Sequence, residues 1–261
     1  MPAMERSLTS FTTLSFDVYA TLIDWESGIF LALAPLSKRL PESHPMKDNK
    51  RGLLGLYTKL EGILEHQFPG LPYTELLGEV YEKMAEELGV PLAPSDTARE
   101  EKSAFGNSVG SWPAFPDTVE ALKQLAKRYK LIVLSNVDKG AFAKTCAGPL
   151  QGFQFDAVYT AQEIGSYKPD LRNFEWMFEH AERDLGIKKD GFLHVAQALI
   201  HDHVPAKKVG LKSCWIERAG DDAAMGGKLE DIKDEVELAY RFKTLGDLAK
   251  AVEQEHEHNN I

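Results

Sequence analysis

The chain has 261 residues, 43% hydrophobic and 27% charged, an ordinary globular mixture with length enough for a large core and an inserted module. A formal net charge of −10, with no basic stripe interleaved with aromatics, excludes nucleic acid as an expected partner. No apolar run reaches the roughly 18–20 residues of a membrane span, and Met1 to Thr13 lacks the apolar block of a signal peptide, so a cytoplasmic address without membrane contact is expected.

Leu14-Ser15-Phe16, running into Asp17, reads as the end of a buried strand. After Trp25 the apolar pattern is helical for about eighty residues. Leu53, Leu56, Leu60 and Leu64 recur at helical steps, as do Leu77, Val80, Tyr81 and Met84. Breakers separate these runs at Phe68-Pro69-Gly70-Leu71-Pro72 and Gly89-Val90-Pro91. Residues 27–111 are therefore expected to form a helical module of their own, with 1–26 and 112–261 as the other domain. Trp112 to Asp117 is a turn leading into a helix over 117–129, with Asp117 as its N-cap. Helices and short apolar strands then alternate, the strands being Leu131–Leu134, Ala157–Tyr159, Phe192–Val195 and Cys214–Ile216. A helix is expected over 170–185. Such alternation is the mark of a parallel α/β sheet covered on both faces. Glu253 to Ile261, with His256 and His258, reads as a frayed, solvated tail. Cys146 and Cys214 stand far apart, outside any CxxC spacing, as expected of small buried hydrophobes in a reducing compartment.

In open parallel sheets, ligands lie beyond the carboxyl ends of the strands. Four such ends are polar here: Asp17-Val18-Tyr19-Ala20-Thr21, then Ser135-Asn136, then Lys168-Pro169, then Gln197 to Asp202. A lone Asp at a strand end is usually a turn residue. A carboxylate, a hydroxyl pair, an amide, a lysine and a second carboxylate in this order are harder to explain as turns.

Phe-Asp-Val-Tyr-Ala-Thr-Leu at 16–22, Leu-Ser-Asn at 134–136, Tyr-Lys-Pro-Asp at 167–170 and the Asp202 loop resemble the four ordered motifs of the haloacid dehalogenase superfamily. Within it the chain is similar to the type II 2-haloacid dehalogenases, as a divergent subgroup. Cys214 to Arg218 resembles the strand that follows the fourth motif there. The resemblance implies a three-layer, Rossmann-like parallel core with an inserted helical cap whose closing excludes water. It also implies a small-molecule substrate, allows a homodimer, and calls for no metal or other cofactor. By the same resemblance Asp17 is the nucleophile that forms an ester intermediate. Lys168 holds it ionised, and Asp202 positions or deprotonates the hydrolytic water. Tyr19, Thr21, Ser135 and Asn136 bind the nucleophile or the substrate.

Several positions depart from the superfamily's patterns. Its phosphatases place a second Asp where Tyr19 stands, to protonate the leaving oxygen, and a phenol with pKa near ~10 is a poor substitute. They place an acidic magnesium ligand where this chain has Gln197, and an amide is a weak ligand for that ion. Dehalogenases place Ser near Gln197, a water-holding Asn near Leu199 and a Tyr at Phe174. They also use a cap arginine for the halide, for which Arg39 and Arg51 are candidates by location. His201-Asp202-His203 offers no third ligand for zinc, and His201 is instead a candidate auxiliary base. The leading expectation is removal of halide from a short 2-haloacid. The alternatives are a magnesium phosphatase acting on a small phosphate ester and a family member with an accessory or binding role.

Overall fold

Thr13–Phe16 forms β1, and all four of its residues are buried, as in a parallel strand covered on both faces. The computed structural model describes residues 7–68, 70–92, 96–218 and 227–259, so the breaker Pro69 and the last two tail residues lie outside it. β2 (Lys130–Ser135), β3 (Ala157–Thr160), β4 (Phe192–Ala196), β5 (Ser213–Ile216) and β6 (Leu238–Phe242) join β1 in one sheet. Every pairing is parallel and the order is β3-β2-β1-β4-β5-β6. The chain steps from β1 to β2 and β3 on one side and then crosses back to β4 on the other. The order thus reverses between β1 and β4, the kind of switch point beside which open parallel sheets bind their ligands. The register places Phe16 opposite both Val133 and Val195, so the residues after these strands share one rim.

Helices flank this sheet. Arg172–Leu185 buries Phe174, Met177 and Ala181 against Ile132, Leu134, Phe192 and Leu211. Helix Thr118–Leu125 begins where the sequence suggests, but Asp117 does not cap it with its side chain. That carboxylate instead accepts from Arg218 Nη1 at 2.6 Å and from the Gly246 amide at 2.9 Å. The frayed tail expected from Glu253 onward is corrected: helix Leu245–Asn259 runs through it. Leu245, Leu248, Ala249 and Val252 form a buried stripe that docks the helix, and Arg128 Nε holds Glu253 at 3.1 Å. Among the described residues no helix is long and apolar enough to cross a membrane.

Asp24–Pro113 together with Val137–Pro149 forms a second compact unit, and the remainder, with the sheet, forms the first. The elements of the second unit are helical, the longest being Lys50–Gln67, Tyr73–Glu87 and Asp96–Asn107. Glu61 ties the first two together, accepting from Tyr57 Oη at 2.5 Å and from Tyr73 Oη at 2.6 Å. Helix Lys139–Ala147, N-capped by Asp138, groups with this unit although it follows β2 in the chain. Arg39, a candidate for holding halide, is paired with Glu101, and Arg51 is exposed.

Candidate active site

The backbone after β1 turns sharply so that a side chain four residues on can reach back to Asp17. Ala20 sits at φ 75°, a left-handed conformation that costs an ordinary L-residue about 1–2 kcal/mol, and its amide bonds the Ile23 carbonyl at 2.9 Å. The result is a hydrogen bond of 2.6 Å from Thr21 Oγ1 to Asp17 Oδ2. The same hydroxyl accepts from the Gln197 amide at 2.9 Å, linking the turn to the loop after β4. Asp17 is 7% exposed.

Lys168 is brought to the other carboxylate oxygen. Its Nζ donates to Asp17 Oδ1 at 2.9 Å, Asp202 Oδ1 at 2.7 Å and the Leu134 carbonyl at 3.0 Å, which engages all three ammonium protons. Asn136 locks its backbone: Asn136 Oδ1 accepts from the Lys168 amide at 2.6 Å, and Nδ2 donates to the Lys168 carbonyl at 3.0 Å. The sequence suggested that Asn136 bonds the nucleophile or the substrate. Both ends of its amide are instead on Lys168, because the loop after β2 lies alongside that segment. Ser135 ends β2 with its Oγ buried and without a hydrogen-bond partner among the described residues. Tyr19, in the turn after Asp17, is half-buried.

Asp202 lies on a π-helical turn, Leu199–His203, after β4. Its Oδ1 accepts from Lys168 and from His194 Nε2 at 2.9 Å, while Oδ2 is buried and has no hydrogen-bond partner among the described residues. Two buried carboxylates therefore share one ammonium. Burial and the neighbouring Asp202 charge raise the Asp17 pKa, against the pull of Lys168 and Thr21. Burial acts on Asp202 too, but there the Lys168 ammonium and the His194 bond win and hold it well below the usual carboxylate range. Burial alone would lower Lys168, and the two carboxylates raise it instead. A cation wedged between two acids, one of them readily ionised and the other desolvated, suits a nucleophile beside a fixed polar base.

His201 makes no hydrogen bond to Asp202; the imidazole that does is His194, a residue outside the four motifs. Its signal was a polar residue inside an otherwise apolar strand, faced in register by Ser15 on β1. His203 points away, with Nε2 3.0 Å from the Ala196 carbonyl and Nδ1 2.8 Å from Ser213 Oγ. Leu199 and Phe174 are buried and apolar, at 1% and 0% exposure.

Comparison of the sequence with protein-family models and with curated proteins finds no match. Solved structures do match along nearly the whole chain. The defluorinating L-2-haloacid dehalogenase Rha0230 aligns with a TM-score of 0.71 at 19% identity, over 94% of this chain and 97% of its own. L-2-haloacid dehalogenase from Xanthobacter autotrophicus, with chloropropionic acid covalently bound, gives 0.70 at 17%, over 93% and 98%. YfnB from Bacillus subtilis, of the HAD-hydrolase kind and bound to magnesium, gives 0.66 at 20%, over 91% and 96%. The chain has the fold of these proteins, an α/β sheet core with a helical cap.

Proposed function

We propose that the protein is a hydrolase of the haloacid dehalogenase type that cleaves the carbon–halogen bond of a short 2-haloacid. The observation that carries this is the pairing of Asp17, gripped through one oxygen by Lys168 and through the other by Thr21, with Asp202 on the same ammonium. An Asp17 oxygen attacks C2 and halide departs, leaving an ester. Water then adds to the ester carbonyl of Asp17 while Asp202 Oδ2 takes its proton. Collapse breaks the bond from the ester carbonyl to the substrate oxygen, which takes the proton back from Asp202 as the 2-hydroxyacid leaves; the second proton of the water passes to solvent, and both carboxylates are restored. Ser135 Oγ, a buried donor with no hydrogen-bond partner among the described residues, is the group for the substrate carboxylate.

Halide leaves without a proton, so the phenol of Tyr19 is no obstacle, whereas a phosphate ester needs an acid there. Nor do the residues suit a magnesium ion. Gln197 offers an amide, and among the described residues no three His, Cys, Asp or Glu side chains converge on a metal site.

The test is halide release from 2-chloropropionate and 2-bromopropionate, with mass spectrometry of the peptide containing Asp17 after rapid quenching. An alkyl adduct on that peptide is expected, and Asp17→Asn should lower turnover by about 10³-fold or more with the fold intact. A folded Asp17→Asn enzyme keeping a tenth of its activity removes Asp17 from the mechanism. No halide and no adduct from any 2-haloacid would sink the assignment and favour an accessory or binding role on the same fold.

A further inference from the structure

β4 is apolar except for His194, which is fully buried. Its Nδ1 lies 2.9 Å from Ser15 Oγ, two residues before Asp17, and its Nε2 lies 2.9 Å from Asp202 Oδ1. An ionised carboxylate only accepts, so the ring proton belongs on Nε2, and Nδ1 accepts from the Ser15 hydroxyl. Phe174 closes on the imidazole edge to face, at 5.3 Å between ring centroids, and brings no polar group to compete. A fully buried imidazole is tolerated because both nitrogens are bonded, and one of those bonds ends on the active-site carboxylate.

The two oxygens of a free carboxylate exchange by rotation about a soft, roughly two-fold torsion. Here Lys168, from a loop, and His194, from inside β4, both donate to Oδ1 of Asp202, and Oδ2 has no hydrogen-bond partner among the described residues. We propose that His194 is a positioning residue for ester hydrolysis, fixing the Asp202 carboxylate so that Oδ2 is the oxygen presented to water. Lys168 alone does not do this, since it also serves Asp17 and must respond when Asp17 loses its charge on alkylation. Among the described residues the side chains that His194 hydrogen-bonds are those of Ser15 and Asp202, and it keeps its bond through that change. The first half-reaction, attack by Asp17, makes no use of it.

This rests on the reaction proposed above, and the experiment separates the two. His194→Leu should keep the halide burst from 2-chloropropionate, which reports attack by Asp17, while slowing steady-state turnover by about 10²-fold and lengthening the adduct's life in proportion. His194→Gln, whose amide nitrogen takes the place of Nε2, should recover most of the lost rate. His194→Asn reaches Ser15 but not Asp202 and should not. Equal loss of burst and steady state in His194→Leu, or no rescue by a folded His194→Gln, overturns the positioning role. ¹⁵N spectra of the wild-type histidines decide independently of any substrate: a pure Nε2–H tautomer for His194 at neutral pH is expected, and an Nδ1–H tautomer or a mixture overturns the assignment. If the wild type forms no adduct at all, the dehalogenase reading fails while the tautomer still tests the dyad.

Discussion

Asp202 has one oxygen held twice and one that no described residue bonds. Leu199, three residues earlier on the same π-helical turn, is buried and supplies no hydrogen bond. Attack by Asp17 depends on Lys168 and Thr21, both in place, so the first step should outrun the second. A water lacking one positioning bond could react about 10²-fold more slowly. Alkylated enzyme should therefore accumulate, with a burst of halide ahead of a slow steady state. Leu199→Asn should shorten the adduct's lifetime measured by quench and mass spectrometry; an unchanged lifetime would mean that water is held by other groups. His203 supplies a second test, of stability. Burial lowers its pKa from 6.5 to about 4, against the bond to the Ala196 carbonyl, which works to raise it. The unfolded chain therefore binds the proton first, and stability falls as pH drops from 6.5 to about 4, then levels. The shift corresponds to about 3 kcal/mol at ~1.4 kcal/mol per unit, and burial lowers His201 in the same direction. Half-buried Glu65, whose pKa desolvation raises to about 8, acts in the opposite sense over this range, so the difference between wild type and His203→Gln carries the test. The wild type's urea midpoint should fall relative to the variant's as pH drops, and a constant difference would remove His203 from the effect.

Two helices of the second unit approach so closely that only glycine fits between them. A Cβ on Gly106 would lie 2.1 Å from the Thr74 carbonyl oxygen, so helices Tyr73–Glu87 and Asp96–Asn107 would have to part. Gly106→Ala should cost about 1–3 kcal/mol and lower Tm by several degrees. Gly55, in helix Lys50–Gln67, has nothing within 4 Å, and Gly55→Ala should raise Tm by relieving the backbone entropy of a helical glycine. Equal effects of the two substitutions would refute the close contact. Neither consequence is visible in the sequence, where both are helical glycines. The same division runs through the elements. β1, β2, β4 and β5 were legible because a strand buried on both faces must be an apolar run bounded by turns. β6 was not, since Leu238–Phe242 is only partly covered and mixes Arg241 with aromatics. Glu253 onward reads as a tail because the buried stripe that docks helix Leu245–Asn259 ends at Val252, leaving only charged and polar residues in the helix beyond it. That Lys139–Ala147 groups with the helical unit is a tertiary fact with no local signature.

At the scale of the whole chain, the polar strand ends were readable as a set because the sheet's topology forces them onto one rim, and Asp17, Thr21, Lys168 and Asp202 do meet there. What could not be read was which group partners which: Asn136 serves the lysine's backbone, and an imidazole inside a strand serves Asp202. These pairings depend on register, which sequence periodicity leaves open. The shared fold extends both to haloacid dehalogenases and to a magnesium-bound protein, so the fold alone does not choose the chemistry. The residues of the site support the carbon–halogen reading proposed above. Its own cation, Lys168, already neutralises half of the charge on the two carboxylates, with every ammonium proton directed at an acceptor. A hard dication prefers carboxylates and water, and Tyr19 and Gln197 offer a phenol and an amide. Halide release from 2-haloacids should therefore persist at full rate in EDTA and gain nothing from added magnesium. Small phosphate esters should release no phosphate under either condition. Loss of activity in EDTA that magnesium restores, or magnesium-dependent phosphate release that Asp17→Asn abolishes, would move the assignment from carbon–halogen to phosphate-ester cleavage by the same nucleophile.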